Sequence, residues 1–430
     1  MIFNKKAITK MQAIIITIII VLAVIAGAVY YYYTSRVPTG PIKDKILVGF
    51  SISLTGKWSA AGKQIFDGYK LIVDEINRLG GVYVAELNTY LPIQLIYYDD
   101  SSDATKAVTN YEKLITVDGV DFCLAPYGSV ISDAIAPVVE RYRVPTMITS
   151  TWESTYNKGY RHIFGVFTTG SWWMHFIDFL NDKLNDPNLP EEQKPRRIAI
   201  QVDDDPGGRD MLDFYPNYLR QKGFNVVYAS VNPVGTTDYT PYIIAIQAAK
   251  ADVLLHLGRM DESTALMRNL AELGVNFKAI FCTVGPTLEA WMELGPAGYY
   301  VFSYSPYWSP QLDWSATYLK SGLKWNNLEM ASKFEERTGQ KMDWRAFNAV
   351  LHVLVLADSI ERAGSLNREK VRDAIASTKL PIPGGYYAFD EKGRVDPRYY
   401  PTCVVQVFPE GPLIVYPKEF AVREPVYPRP

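Results

Sequence analysis

The chain has 430 residues, of which 48% are hydrophobic and 21% are charged, and its formal net charge is -2. This composition is typical of a globular protein, and the length fits two domains with short appendages. The nearly balanced charge provides no basic surface, which argues against nucleic acid as a partner. The three cysteines, Cys123, Cys282 and Cys403, include no CxxC pair, so we expect buried structural residues rather than a disulfide framework.

The N-terminus contains an uncharged apolar run over residues 13–29, followed by four tyrosines at 30–33. Together they are long enough for a helix to cross about 30 Å of hydrocarbon, with the tyrosines at the interface. A cleaved signal peptide is the alternative, but bulky tyrosines replace the small residues that precede a cleavage site. We therefore expect a single-pass protein of the cell membrane, with an extracellular main part. The predicted segments are a cytoplasmic N-terminus (1–12), an uncleaved signal-anchor (13–33) and a linker (34–45).

From Ile46 onward, apolar strands alternate with helices whose apolar residues recur at helical spacing. The predicted strands are 46–53, 91–100, 121–126, 144–150, 196–202, 224–230, 251–258, 278–284 and 298–304. The predicted helices are 63–79, 103–116, 129–141, one ending near 221, 240–249, 261–273 and a largely helical stretch at 326–376. This alternation predicts an α/β protein with parallel sheets covered on both faces, and its two blocks predict two lobes.

Ligands of such sheets bind beyond the carboxyl ends of the strands. The loops expected there are 54–62, 97–103, 125–132, 149–155, 202–208 and 256–262. No catalytic motif occurs in the chain, and the four histidines are scattered, which argues against an enzyme. Asp203, Asp204 and Asp205 could hold a hard cation or a ligand ammonium, but helix capping in a solvated loop is the interpretation we favour. We predict neither a metal nor a cofactor.

The loops at 125–132 and 149–155 contain the stronger candidates for a binding site. Ser129 is predicted to N-cap a helix whose free N–H groups attract a carboxylate. Ser150 and Thr151 supply hydroxyls just past a neighbouring strand, and Trp152 supplies a flat apolar wall. Ordinary helix capping is the alternative explanation for these residues.

From about Lys45 to Pro417 the chain resembles the leucine/isoleucine/valine-binding proteins of ABC importers. The segments that carry this resemblance are SLTG (53–56), DGYKLIVDEINRLGGV (67–82), YYDDSSDATKAV (97–108), RVPTMITS (143–150), GYRHIFGVFTTG (159–170), RRIAIQVDDD (196–205) and GGYYAFDEKGRV (384–395). It implies the type I periplasmic-binding-protein fold, with two doubly wound lobes joined by crossovers near Phe167, Tyr304 and Gly385. The implied segments are lobe 1 (46–167 and 305–384), lobe 2 (168–304 and 385–417) and a C-terminal tail (418–430).

The resemblance also implies the binding residues of lobe 1. Ser129 matches the serine that binds a ligand carboxylate, and Ser150 and Thr151 match the groups that hold the same carboxylate. Trp152 stands where the family often has threonine. Trp58 corresponds loosely to an aromatic contact of the first loop.

Lobe 2 departs from the family pattern at three places. Pro206-Gly207-Gly208 replaces the usual Tyr-Gly, and Arg259 stands where a tyrosine often lies. Near residues 283–286 no acid matches the one that meets a ligand ammonium. An unpaired buried ammonium is costly, so Arg259 is expected to suit a second carboxylate or an organic acid.

These observations predict the extracellular solute-binding component of an ABC importer, monomeric in its clamp and without chemistry of its own. The expected solute is a branched-chain amino acid, a related amide or an organic acid, which is delivered to the permease. The alternative is a ligand-sensing receptor subunit with the same clamp. That reading requires a partner subunit, because about ten residues precede the predicted span.

Overall fold

A computed structural model describes residues 10–34, 43–166, 168–305, 308, 312–400 and 402–430. It divides into two compact units, Met1–Asp44 and Lys45–Pro430. The predicted cytoplasmic N-terminus, the linker at 34–45 and the crossover residue Phe167 lie largely or wholly outside the described residues.

The first unit contains one long helix, α1 (Lys10–Thr34). Its segment Ile14–Tyr32 has 19 residues, a mean hydropathy of 2.8 and no buried residue. At 1.5 Å per residue it is about 28 Å long, close to the thickness of a bilayer core. The apolar helix expected from the sequence is therefore present and is long enough to cross a membrane.

The second unit is built from strands that alternate with helices. Its strands are β1 (Ile46–Ile52), β2 (Val82–Val84), β3 (Thr89–Leu91), β4 (Ile93–Asp99), β5 (Phe122–Cys123), β6 (Thr146–Met147), β7 (Ile163–Phe164), β8 (Arg197–Asp203), β9 (Asn225–Asn232), β10 (Val253–Leu257), β11 (Ala279–Cys282), β12 (Phe302–Ser305), β13 (Ser315–Tyr318), β14 (Leu323–Asn326), β15 (Lys379–Ile382), β16 (Gly385–Ala388), β17 (Cys403–Phe408) and β18 (Gly411–Tyr416). Its helices are α2 (Ser59–Arg78), α3 (Ala104–Thr116), α4 (Ser129–Arg141), α5 (Glu153–Tyr156), α6 (Met174–Asn185), α7 (Pro206–Gln221), α8 (Thr240–Ala248), α9 (Met260–Glu272), α10 (Asn327–Thr338), α11 (Trp344–Ala363) and α12 (Arg368–Ala376).

Two sheets organise these elements, as the alternation predicted. The first has the strand order β4-β1-β5-β6-β7, with every neighbouring pair parallel. The second has the order β18-β17-β12-β11-β10-β8-β9, in which β9 to β12 are parallel and β17 and β18 run antiparallel at one edge. We call the parts built on the first and second sheet lobe 1 and lobe 2. All three cysteines are buried, as expected.

Helices cover both faces of each sheet because the strands are apolar on both faces. In lobe 1, α2 and α11 pack on one face and α3 and α4 on the other. In lobe 2, α6 and α7 cover one face and α8 and α9 the other. The helix α6 was not predicted from the sequence, and neither was the hairpin of β13 and β14.

In each lobe a glycine brings the helix that follows the first strand of the sheet close to the end of that strand. A Cβ at Gly62 of α2 would lie 2.0 Å from the carbonyl oxygen of Ser53, and one at Gly208 of α7 would lie 2.0 Å from that of Asp203. Only glycine permits this approach, since real Cβ atoms do not come so near. Both helices therefore begin directly at the carboxyl edge of their sheet.

The chain passes between the sheets after β7, after β12 and before β17. Tyr304 lies in β12 of the second sheet, next to the second predicted crossover. Gly385 begins β16, which pairs with β15, and the chain rejoins the second sheet only at Cys403. The Gly165 N–H donates to the carbonyl of Gly393 at 2.8 Å, which brings the first and third passages together. The exact lobe boundaries and the hinge role of these passages stay predictions.

Candidate functional site

Ser129 and Thr151 meet at the carboxyl edge of the first sheet. The Ser129 Oγ accepts a hydrogen bond from the Thr151 N–H at 3.0 Å and shares another with the Thr151 Oγ1 at 3.0 Å. The prediction that Ser129 N-caps α4 is wrong. The cap is Gly128 at φ +84°, a conformation that favours glycine, and Ser129 is the first helical residue. Its hydroxyl therefore faces Thr151 at the N-terminus of the helix.

Thr151 also contacts the passage into lobe 2, because its carbonyl accepts the Thr169 N–H at 2.9 Å. Ser150, by contrast, points into lobe 1 and is fully buried. Its hydroxyl shares a hydrogen bond with Thr155 at 2.8 Å, and its carbonyl accepts the Tyr156 hydroxyl at 2.6 Å. Thr151 is thus placed at the seam between the lobes, whereas the Ser150 side chain supports the loop from behind.

Trp152 lies directly against the start of α7 in lobe 2. A Cβ at Gly207 would be 3.1 Å from the Trp152 Cδ1 and Nε1 atoms. The next residue reaches the same helix, since the Glu153 N–H donates to the Asp210 Oδ2 at 3.1 Å. The indole therefore forms a wall where the two lobes meet.

Trp58 is the N-cap residue of α2, and its indole packs edge-on against Tyr127 with 6.3 Å between the ring centres. The backbone N–H of Trp58 donates to the Ser102 Oγ at 3.1 Å, which fixes the loop before α2. Tyr127 lies two residues before Ser129. The structure thus gathers Ser129, Thr151 and Trp152, and it links Trp58 to them through Tyr127.

Arg259 is paired inside lobe 2. Its Nη1 lies 3.1 Å from the Asp203 Oδ2, its Nη2 lies 3.2 Å from the Asp205 Oδ2, and the Glu262 Oε1 is 3.7 Å from Nη1. The side chain is 33% exposed. A guanidinium that already holds three carboxylates is poorly suited to bind a fourth. Contact between Arg259 and a ligand stays a prediction, and it requires the release of one of these acids.

The Asp203–Asp205 cluster fits the capping interpretation only in part. Asp205 N-caps α7 by accepting the Gly208 N–H at 2.9 Å, and Asp204 is exposed beside Arg209. Asp203 is not solvated. Its side chain is only 3% exposed, and the Asn232 Nδ2 donates to its Oδ1 at 2.9 Å. Among the residues that the structure describes, no group of three His, Cys, Asp or Glu side chains could hold a metal.

The pKa of Asp203 is raised to about 7, chiefly by burial and also by nearby Glu262, against the opposing effects of the Asn232 hydrogen bond and the Arg259 charge. The physical cause is an excess of carboxylates. Three acids surround one arginine in a place with little water, so one acid is stabilised by holding a proton.

Several aromatic residues at the seam are not among the binding residues predicted from the sequence. Tyr304, at the end of the second sheet, stacks on Trp172 at 5.3 Å and contacts Trp344 at 5.8 Å. The Trp344 Nε1 donates to the Thr287 Oγ1 at 3.1 Å, which joins α11 to a loop of lobe 2. Arg345 follows Trp344 and is buried. No local motif marks these residues, because they come from segments far apart in the chain.

The family model described as periplasmic binding protein matches residues 45–406. A leucine-, isoleucine-, valine-, threonine- and alanine-binding protein of Pseudomonas aeruginosa is 23% identical over 365 residues, covering 81% of this chain and 87% of that protein.

Solved structures share the fold. The branched-chain amino acid transporter substrate-binding protein of Streptococcus pneumoniae, in complex with isoleucine, superposes with a TM-score of 0.69 at 17% identity, covering 86% of this chain and 97% of that one. An ABC transporter solute-binding protein of Rhodopseudomonas palustris, in complex with 3,4-dihydroxybenzoic acid, superposes with a TM-score of 0.66 at 18% identity, covering 85% and 94%. These likenesses establish the two-lobed fold expected from the sequence.

We predict that Asp203 makes the protein less stable as the pH rises. Between the ordinary aspartate pKa and about 7, folded Asp203 keeps a proton that the unfolded chain releases, so its contribution is lost as the pH rises through that window. In Asp203→Asn the decline in unfolding free energy from pH 5 to 8 should shrink by on the order of 2–4 kcal/mol. Urea unfolding of residues 45–430 at several pH values measures this.

The matched control is Asp204→Asn, since Asp204 is exposed and its carboxylate pairs with the exposed Arg209. Its pH profile should follow that of the unmodified chain. If the unfolding free energy changes with pH in the same way in the unmodified chain and in both variants, Asp203 is ionised throughout the range and is stabilised by Arg259.

Proposed function

The chain belongs to the periplasmic binding protein family, and from that premise we propose that it is the solute-binding component of an ABC importer. In this role it captures a small solute outside the cytoplasm and delivers it to permease subunits in the membrane. It performs no chemistry on the solute, and its clamp works as a monomer.

One observation carries the proposal: the start of α4 in lobe 1 and the start of α7 in lobe 2 face the same seam. Thr151 joins Ser129 to the passage between the lobes, and Trp152 rests on Gly207. The carboxyl edges of the two sheets therefore border the same space between the lobes, and each edge contributes one helix N-terminus. A solute held there contacts both lobes, so its binding favours closure.

The proposed solute bears a carboxylate. The relatives named for amino acids and the neighbour solved with 3,4-dihydroxybenzoic acid have ligands that share this group. In this chain, Ser129 and Thr151 present hydroxyls at the N-terminus of α4, where the helix dipole favours an anion. Trp152 and Trp58 would pack on the apolar part of the solute, while Ser150 holds the loop in place through Thr155.

We further propose that α1 stays attached and anchors the protein, with residues 1–12 in the cytoplasm and the second unit outside. The supporting observation is a 19-residue apolar stretch at Ile14–Tyr32. The tyrosines that follow the apolar run are suited to the membrane interface and not to a cleavage site.

Removal of the Ser129 hydroxyl should weaken solute binding. A hydrogen bond to a charged group is worth about 1.5–3 kcal/mol, so Ser129→Ala should lower the affinity roughly ten- to hundredfold. The solute that co-purifies with the protein, identified by mass spectrometry, is titrated by calorimetry. Ser332→Ala on the exposed surface of α10 is the control and should bind normally. Unchanged affinity in Ser129→Ala would remove the carboxylate from this position.

Solute should close the two lobes. The reason is that contacts with both edges of the seam are complete only when the lobes meet, so saturation shifts the population toward the compact form. Small-angle X-ray scattering of residues 45–430, stripped of solute and then saturated, should show a smaller radius of gyration. If the radius is the same in both states, the chain is not a closing clamp.

The anchor is tested by the mass of the mature protein. Chain extracted from native membranes should retain residues 1–33, apart from removal of the initiator methionine, because the bulky tyrosines at 30–33 follow the apolar run directly. Intact-mass spectrometry measures this directly. A mature N-terminus between residues 30 and 45 would show a cleaved signal peptide instead.

A further inference from the structure

Arg345, the second residue of α11, is buried at the seam between the lobes. Its side chain is only 3% exposed. A guanidinium carries five N–H donors, and each one withdrawn from water needs an acceptor. Burial of this cation is therefore costly unless its donors are satisfied.

The described residues satisfy these donors incompletely. The Arg345 Nη1 donates to the Asp343 Oδ2 at 2.8 Å. The other oxygen of Asp343 accepts the N–H groups of Arg345 and Ala346, so this carboxylate also caps the helix. The Arg345 Nε is buried and has no hydrogen-bond partner among the described residues. Such a donor costs about 1–3 kcal/mol, and more when it is charged.

The helix around Arg345 does not favour a cation. The residue lies in the first turn of α11, where the helix dipole is positive. Burial opposes its charge, but Asp343, followed by Tyr127, keeps the pKa above the ordinary value for arginine. The guanidinium is therefore charged in a place where, among the described residues, the Asp343 carboxylate alone forms an ion pair with it.

Both lobes border this guanidinium. It lies over the Trp344 ring at 4.5 Å, and the Trp344 indole donates to Thr287 of lobe 2. Tyr127 of lobe 1 and Tyr304 of the second sheet lie close to it. Tyr127 precedes Ser129 by two residues, so Arg345 and the Ser129–Thr151 pair flank the same loop.

We propose that Arg345 binds a second anionic group of the solute, so that the solute is a dicarboxylic acid. This rests on the proposed solute-binding function and deepens it. One carboxylate lies at Ser129 and Thr151, and the other meets the open donors of Arg345 between Tyr127 and Tyr304. Arg259 is less suited to bind this second carboxylate, because its guanidinium is already surrounded by Asp203, Asp205 and Glu262.

The test compares matched acids on the full-length protein in detergent micelles. Calorimetric titration uses terephthalate against benzoate and glutarate against butyrate, with isoleucine as a zwitterionic probe. A charged pair with Arg345 should make the dicarboxylate of at least one pair bind about tenfold or more tightly than its partner. Arg345→Gln should abolish this preference, because the dicarboxylate loses more affinity than its monocarboxylate partner, and Arg345→Lys should retain part of it. Arg362→Gln, exposed near the far end of α11, is the control and should behave as the unmodified chain.

Mass spectrometry of the solute released from the unmodified protein provides a reading that does not depend on any variant. A solute with two acidic groups supports the proposal, and a solute with one or none overturns it. A dicarboxylate preference that persists in Arg345→Gln also overturns it, as does the absence of any preference. Binding of isoleucine or benzoate, with no preference for either dicarboxylate, would leave the solute-binding function standing while this inference fails. Failure of every probe to bind, with no solute released, would count against both.

Discussion

The seam between the lobes depends on the fixed position of one backbone unit, that of Thr151. Its N–H is held by Ser129 at the start of α4, and its carbonyl is held by Thr169, where the chain enters lobe 2. Loops at the carboxyl edge of a parallel sheet lie at the surface and have few packing contacts of their own. Here the loop after β6 is tied both to the neighbouring helix and to the passage between the lobes. Movement of one lobe is therefore transmitted to the residues that would hold a ligand.

The two arginines near the seam show that residue type alone does not define a role. Arg259 follows a strand in the second sheet, where a side chain reaches the cleft, but carboxylates of its own lobe surround it. Arg345 lies in a helical stretch that no motif marks, yet its buried Nε has no acceptor among the residues that the structure describes. In a site with little water, the balance of charge around a group decides what it can still bind.

The sequence predicted most of the fold because periodicity is a local property. The strands at the centres of both sheets and the helices α2, α4, α7 and α9 lie where the patterns indicated. The helix α6 was missed because no side chain caps its start, so the usual N-terminal signal is absent. Ser129 was taken for a cap because a glycine at positive φ can replace the capping side chain. Asp203 was expected in solvent, since the sequence does not show that Asn232 and Arg259 converge on it.

Gly207, which lies against Trp152, has a practical consequence for biosensors built from this protein. Gly207 does not require positive φ, so larger residues fit its backbone, but each added atom would act as a spacer between the lobes. Spacers of graded size would press on Trp152 and shift the balance between open and closed forms, while the carboxylate-binding residues Ser129 and Thr151 stay unchanged. Because apparent affinity scales with the competent fraction, an optical biosensor could be tuned to different concentration ranges with one selectivity. Substitutions at position 207 would thus adjust the apparent affinity while Ser129 and Thr151 stay as they are.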